Sequence, residues 1–198
     1  MLRIGITGGI GSGKSIVCRI FETLGIPVFY ADDQAKSIMT IDPILIDAIK
    51  QNFGEKSYFN DGTLNRKYLA DIVFNDKTQL DRLNNLVHPA VQRAFENWQS
   101  QLPKNLPYCL KEAALLFESG SYQHCDYNLM VCAPLQLRID RVKKRDGLSE
   151  EQVLARMEKQ WSDEKKSAYA DYFIQNDGQH SLIQHVWDFH QRWSKGIN

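Results

Sequence analysis

Nowhere in the 198 residues do about 18 apolar residues run together, neither sign of charge exceeds the other, and the four cysteines form no CxxC pair. The first absence excludes a helix that spans a membrane. The second, 24 basic against 24 acidic side chains, excludes the broad basic field that draws a protein onto nucleic acid or an anionic membrane. Any anionic ligand must therefore be met by local clusters. The third leaves Cys18, Cys109, Cys125 and Cys132 without metal-ligand spacing, and their mostly apolar surroundings suit core positions in a reducing cytosol. No charged leader precedes the first apolar run, so the chain reads as untargeted and cytoplasmic.

What is present follows an α/β order. Leu2 to Thr7 reads as a buried strand, and Val17, Ile20, Phe21 and Leu24 recur at helical spacing until Gly25. Ile26 to Tyr30 is a second β-prone run, followed by Asp32 and Asp33 as N-cap residues of another helix. From Ala35 to Leu102 the apolar stripes are helical, with an interruption expected at His88-Pro89 that makes a bent helical pair. Tyr108 to Phe117 and Tyr127 to Ala133 are candidate strands, the first ambiguous because Ala and Leu also favour helix. Pro134 to Asp146 is a basic helix and Ser149 to Trp161 an amphipathic one opened by a capping box. Asp171 to Gln175 is a last strand, and Leu182 to Trp193 a closing helix.

Gly8, four residues, then Gly13-Lys14-Ser15 matches G-x-x-x-x-G-K-[ST], set between strand and helix as that motif requires. Gly8, Gly9, Gly11 and Gly13 let successive backbone N–H groups approach phosphate oxygens, with Ser12 between them and Ile16 on the following helix. The helix start aims its partial positive charge at the same place. Lys14 is placed to reach the β- and γ-phosphates of ATP, and Ser15 to offer its hydroxyl to Mg²⁺.

What receives the phosphate is a separate question. A GTPase needs a late N-K-x-D, and the nearest string, Asn75-Asp76-Lys77-Thr78, has the wrong order and place. A motor ATPase would be larger and end an apolar strand in aspartate, whereas this run ends Phe117-Glu118. Small-molecule phosphotransfer fits better. Asp32, just past the second strand, is positioned as a base, because open α/β sheets hold ligands at the carboxyl ends of their strands. Arg138, Arg141 and Arg145 share one helical face before Gly147, the composition of a phosphate-covering lid, and the next helix adds Arg156 and Gln160. A nucleoside or nucleotide kinase and a nucleotide-dependent switch remain open on these residues alone.

Taken in order, GITGGIGSGKS, FYADD, VHPAV, LLFESG, RVKKRDG, ARMEKQ and ADYFIQNDG resemble the dephospho-coenzyme A kinases over nearly the whole chain. The resemblance implies transfer of the ATP γ-phosphate to the ribose 3′-hydroxyl of dephospho-coenzyme A. It implies a three-layer P-loop kinase core with a five-stranded parallel sheet over about 1–33, 103–135 and 168–198, a helical substrate-binding region over about 34–102, and a lid over about 136–167. It also makes Asp32 the catalytic base, Lys14 and Arg141 catalytic, Arg145 and Asn176 ATP-binding, and His88 and Pro89 neighbours of the acceptor. The chain departs from the family pattern at Tyr30, where an aspartate is usual, at Glu112 and Ala114, where aspartate and proline are common, and at Arg138, where glutamine is common. Glu112 keeps a carboxylate able to support Mg²⁺ through water or to stand as a buried polar group.

Overall fold

The computed structural model describes residues 1–74 and 76–195, so residues 196–198 of the expected closing core segment and Asn75 of the Asn75–Thr78 string lie outside the described residues. Contacts divide the chain into two units, Met1–Tyr30 with Leu102–Asn198, and Ala31–Gln101.

The first unit is built on five strands: β1 (Leu2–Thr7), β2 (Val28–Tyr30), β3 (Tyr108–Glu112), β4 (Tyr127–Cys132) and β5 (Tyr172–Gln175). They form one parallel sheet in the order β2-β3-β1-β4-β5, with Ile4 paired to Leu110 on one side and to Tyr127 on the other. Parallel pairing requires long crossovers, which is why β1 is followed by a helix before the chain returns. That helix, α1 (Lys14–Thr23), buries Val17, Cys18 and Phe21 against the sheet. A central β1 with neighbours on both edges explains why Ile4 and Ile6 are fully buried.

The second unit holds α2 (Ala31–Ile41), α3 (Pro43–Phe53), α4 (Arg66–Val73) and α5 (Lys77–Ser100). Asp42 caps α3 by accepting the N–H groups of Ile44 and Leu45 at 3.0 and 3.3 Å, with Pro43 opening the helix where its missing N–H costs nothing. Two expectations fail here. Pro89 lies inside one continuous helix of 24 residues, not between two. Val87, Ala90, Val91 and Phe95 bury a single face of α5 against its neighbours, and that packing offsets the backbone bond the proline cannot make. Asp32 also stands in the first turn of α2, which begins at Ala31, and so does not cap it.

The rest of the first unit comprises α6 (Leu135–Asp146), α7 (Glu150–Met157), α8 (Asp163–Ser167) and α9 (Leu182–Ser194). Ser149 and Gln152 form the expected capping box, but α7 stops at Met157, and the separate short α8 follows under its own Ser162 cap. The candidate strand from Tyr108 keeps its register only to Glu112, after which Ala113–Phe117 turns away. Aromatic packing closes the core: Trp193 of α9 stacks on Phe21 of α1 with centroids 5.9 Å apart and meets Tyr108 of β3 edge-on at 5.3 Å. Trp193 is 1% exposed, so Trp193→Ala should cost about 3–5 kcal/mol in urea unfolding. A loss below about 1 kcal/mol would show that α9 is not part of the cooperative core.

Candidate active site at the glycine loop

Between β1 and α1 the chain runs Gly8 to Gly13, and every carbonyl oxygen in that stretch is held. Gly8 O accepts Lys14 Nζ at 3.0 Å, Gly9 O accepts the Ser12 N–H at 3.0 Å, and Ile10 O accepts Arg138 Nε at 2.9 Å. Gly11 O accepts Arg141 at 3.4 Å, Ser12 O accepts Asn176 Nδ2 at 2.7 Å, and Gly13 O accepts the Ile16 N–H at 3.0 Å. Because a trans peptide sets C=O and N–H on opposite sides, anchoring these oxygens turns the following N–H groups the other way. Glycine is required for a steric reason where backbone leaves no room: a Cβ on Gly8 would fall on Val131 O, and one on Gly11, at φ +80°, would fall on Arg138 O.

A cavity of about 570 Å³ opens in front of the loop, lined by Gly11, Gly13, Lys14, Ser15 and Ile16 from the loop and α1. Arg141 and Arg145 of α6 border it, as does Gln160. Lys14 Nζ lies 3.9 Å from the carboxylate of Glu112, which ends β3 and is 8% exposed, so a buried acid stands behind the loop lysine. Burial, with Glu112 nearby, pushes the Cys18 thiol well above its ordinary range and keeps it neutral beneath the site.

Three arginines of α6 take three different positions. Arg138, 7% exposed, is a strut: it holds Ile10 O and pairs with Asp163 at 2.6 Å. Arg141 bridges Gly11 O and both oxygens of Asn176, at 3.1 Å each for the latter. Arg145 reaches the cavity but is 62% exposed and forms a fork with Asp146, at 2.7 and 3.0 Å. That hydrogen bond holds the Asp146 carboxyl below the usual carboxylate range.

Of the residues expected in the site, the structure brings together Gly11, Gly13, Lys14, Ser15, Ile16, Arg141 and Arg145 around the cavity. Gly8, Gly9 and Ser12 shape the loop without lining it, and Asn176, 5% exposed, braces it from behind. Asp32 in α2 and His88 and Pro89 in α5 belong to the helical unit. Arg19 also lines the cavity and went unremarked in the sequence, although its position four residues after Ser15 sets it on the same helical face. Among the described residues no group of three or more His, Cys, Asp or Glu is arranged to hold a metal ion.

The parallel sheet and the loop between β1 and α1 define a P-loop kinase fold. A shikimate kinase from Acinetobacter baumannii shares that fold with a TM-score of 0.52 at 17% identity, covering 96% of this chain and 92% of its own. The profile of the family described as Dephospho-CoA kinase matches residues 2–181. A Dephospho-CoA kinase from Salinibacter ruber is 44% identical over 179 residues, 90% of each chain. A solved Dephospho-CoA kinase from Campylobacter jejuni is 30% identical, with a TM-score of 0.71 over 98% of both chains. The chain belongs to the dephospho-CoA kinase family.

Asn176→Ala removes the donor to Ser12 O and the side-chain acceptor of Arg141 together, and keeps only the backbone oxygen of residue 176 for Arg141. It should lower stability by about 1–3 kcal/mol and weaken ADP binding in a calorimetric titration. Unchanged ADP affinity would mean that the loop holds its shape without this brace.

Proposed function

We propose that this chain transfers the γ-phosphoryl group of ATP to the ribose 3′-hydroxyl of dephospho-coenzyme A, giving coenzyme A and ADP, and that it does so in the cytoplasm. The observation that carries the reading is the glycine loop with all its carbonyl oxygens held, facing a cavity that gathers Lys14, Arg141 and Arg145. Such an arrangement offers N–H groups and fixed cations to a triphosphate, and phosphoryl transfer depends mainly on positioning and charge stabilisation of that kind. Family membership supplies the acceptor, and leaves the nucleoside-kinase and switch readings without support of their own.

Lys14 holds the β- and γ-phosphates, with the Glu112 carboxylate 3.9 Å from its Nζ. Arg141, fixed by Asn176 and Gly11, covers the transferring group, and Arg145 joins it on leaving Asp146. The Ser15 hydroxyl, exposed at the cavity, and the Glu112 carboxylate are hard oxygen donors suited to Mg²⁺, Ser15 directly and Glu112 through water. Held there, Mg²⁺ would supply positive charge that offsets the charge developing during transfer. Mg²⁺ commonly takes one or two protein groups beside phosphates and waters, so it needs no dedicated ligand cluster. Asp32 accepts the proton of the 3′-hydroxyl; it stands two residues beyond β2, at the carboxyl end of a parallel strand, where open sheets hold their ligands. His88 and Pro89 contribute to holding the acceptor, and residues 136–167 act as the lid.

The test is product mass after incubation with ATP and Mg²⁺, with dephospho-coenzyme A, AMP and adenosine as separate acceptors. One added phosphoryl group on dephospho-coenzyme A alone is expected, and phosphorylation of AMP or adenosine instead would contradict the reading. Lys14→Ala should abolish turnover in a folded chain, and full activity would count against the phosphate role of the loop. Asp32→Asn should lower kcat by about 10²–10⁴-fold with an unchanged melting temperature; undiminished turnover would remove Asp32 as the base.

A further inference from the structure

Gln160 follows the turn after α7, and its side-chain Oε1 accepts the Ile10 N–H of the glycine loop at 2.9 Å. Only the oxygen of a carboxamide can accept, so Nε2, with its two N–H donors, is turned away from Ile10. Gln160 also lines the cavity shared with Gly11, Lys14 and Arg141.

Its position is fixed from several sides. Ile10 is gripped at its carbonyl by Arg138 at 2.9 Å, and Arg138 is held in turn by Asp163. The next residue, Trp161, donates its N–H to Glu118 Oε1 at 2.9 Å, and the fully buried Lys166 reaches that same oxygen at 3.1 Å. A side chain so mounted loses little entropy on meeting a ligand.

A strut between the α7 end and the loop needs an acceptor and nothing more. A carboxamide adds a donor, and it adds it where the loop has given one up, because the Ile10 N–H is already occupied by Gln160. Accepting on one side also polarises the amide and strengthens donation on the other.

We propose that Gln160 relays the Ile10 donor outward: Oε1 keeps the Ile10 N–H while Nε2 donates a hydrogen bond to the terminal phosphoryl group of the bound triphosphate. This rests on the phosphate-binding reading of the cavity. It makes Gln160 a substrate-contacting residue that separates a triphosphate from a diphosphate by a neutral donor, beside the cations that bind both.

The experiment compares wild type, Gln160→Glu and Gln160→Ala. The carboxylate of Gln160→Glu still accepts the Ile10 N–H but cannot donate, so its melting temperature should match wild type. Its kcat should fall about 10- to 100-fold. Its affinity for magnesium adenylyl imidodiphosphate should fall comparably, with ADP affinity unchanged. Gln160→Ala loses both halves of the relay and should show the same kinetic loss with a lower melting temperature. Wild-type turnover and analogue affinity in Gln160→Glu would reduce the residue to a strut and overturn the proposal. Equal weakening of ADP and the analogue would overturn it too, since the effect would then lie in the loop's shape. A wild-type chain that forms no ADP with dephospho-coenzyme A would overturn the reading of the site, and the relay with it; an active wild type beside an unaffected Gln160→Glu overturns the relay alone.

Discussion

Capture of the glycine-loop carbonyls is the constraint on which the rest of the site depends. Six consecutive peptide oxygens, Gly8 to Gly13, accept hydrogen bonds from Lys14, Ser12, Arg138, Arg141, Asn176 and Ile16. A glycine-rich segment left to itself has more backbone freedom than any other sequence, and each residue fixed costs about 1–2 kcal/mol of conformational entropy. Hydrogen bonds from charged groups, each contributing about 1.5–3 kcal/mol, are of the right size to offset that cost. The loop is thereby set before a nucleotide arrives, and the ordering cost is met by folding instead of binding.

The braces come from distant parts of the chain, which ties the site to the fold. Arg138 and Arg141 are carried by α6 after β4, and Asn176 directly follows β5. The sheet order places β4 beside β1 and β5 beside β4, so the ends of both strands approach the loop that leaves β1. The core formed by Ile4, Ile6, Phe21, Leu129, Ile174 and Trp193 holds those strands and α1 in register. A chain without net charge nevertheless concentrates Lys14, Arg19, Arg141 and Arg145 at one cavity, the local clustering that its balanced composition demanded.

Much of this was legible in the sequence because the informative signals were local. The spacing from Gly8 to Ser15 placed the loop, and the three- and four-residue spacing of Arg138, Arg141 and Arg145 placed one helical face. What was not legible depends on partners remote in sequence. Arg138 read as one of three arginines on a phosphate-covering face, at a position where glutamine is common, but its partners Ile10 and Asp163 lie 128 and 25 residues away, and they make it a strut. Asn176 read as nucleotide-binding, and only the tertiary fold shows it gripping Ser12 and Arg141. Pro89 read as a break because proline lacks an N–H, and burial along α5 outweighed that local preference. The short α8, Asp163–Ser167, follows the helix read up to Trp161 and has no apolar residue of its own, so no helical periodicity marks it.

Whether held carbonyls leave the opposite N–H groups set for phosphate can be read from amide nitrogen–proton correlation spectra during titration with ADP and Mg²⁺. Downfield shifts are expected at the Gly11, Gly13, Lys14 and Ser15 amide protons, with the Ile10 amide, held by Gln160, nearly unmoved. Large shifts at Ile10 and Ser12, with those four amides unchanged, would contradict it: the loop would then have to turn over to bind its ligand.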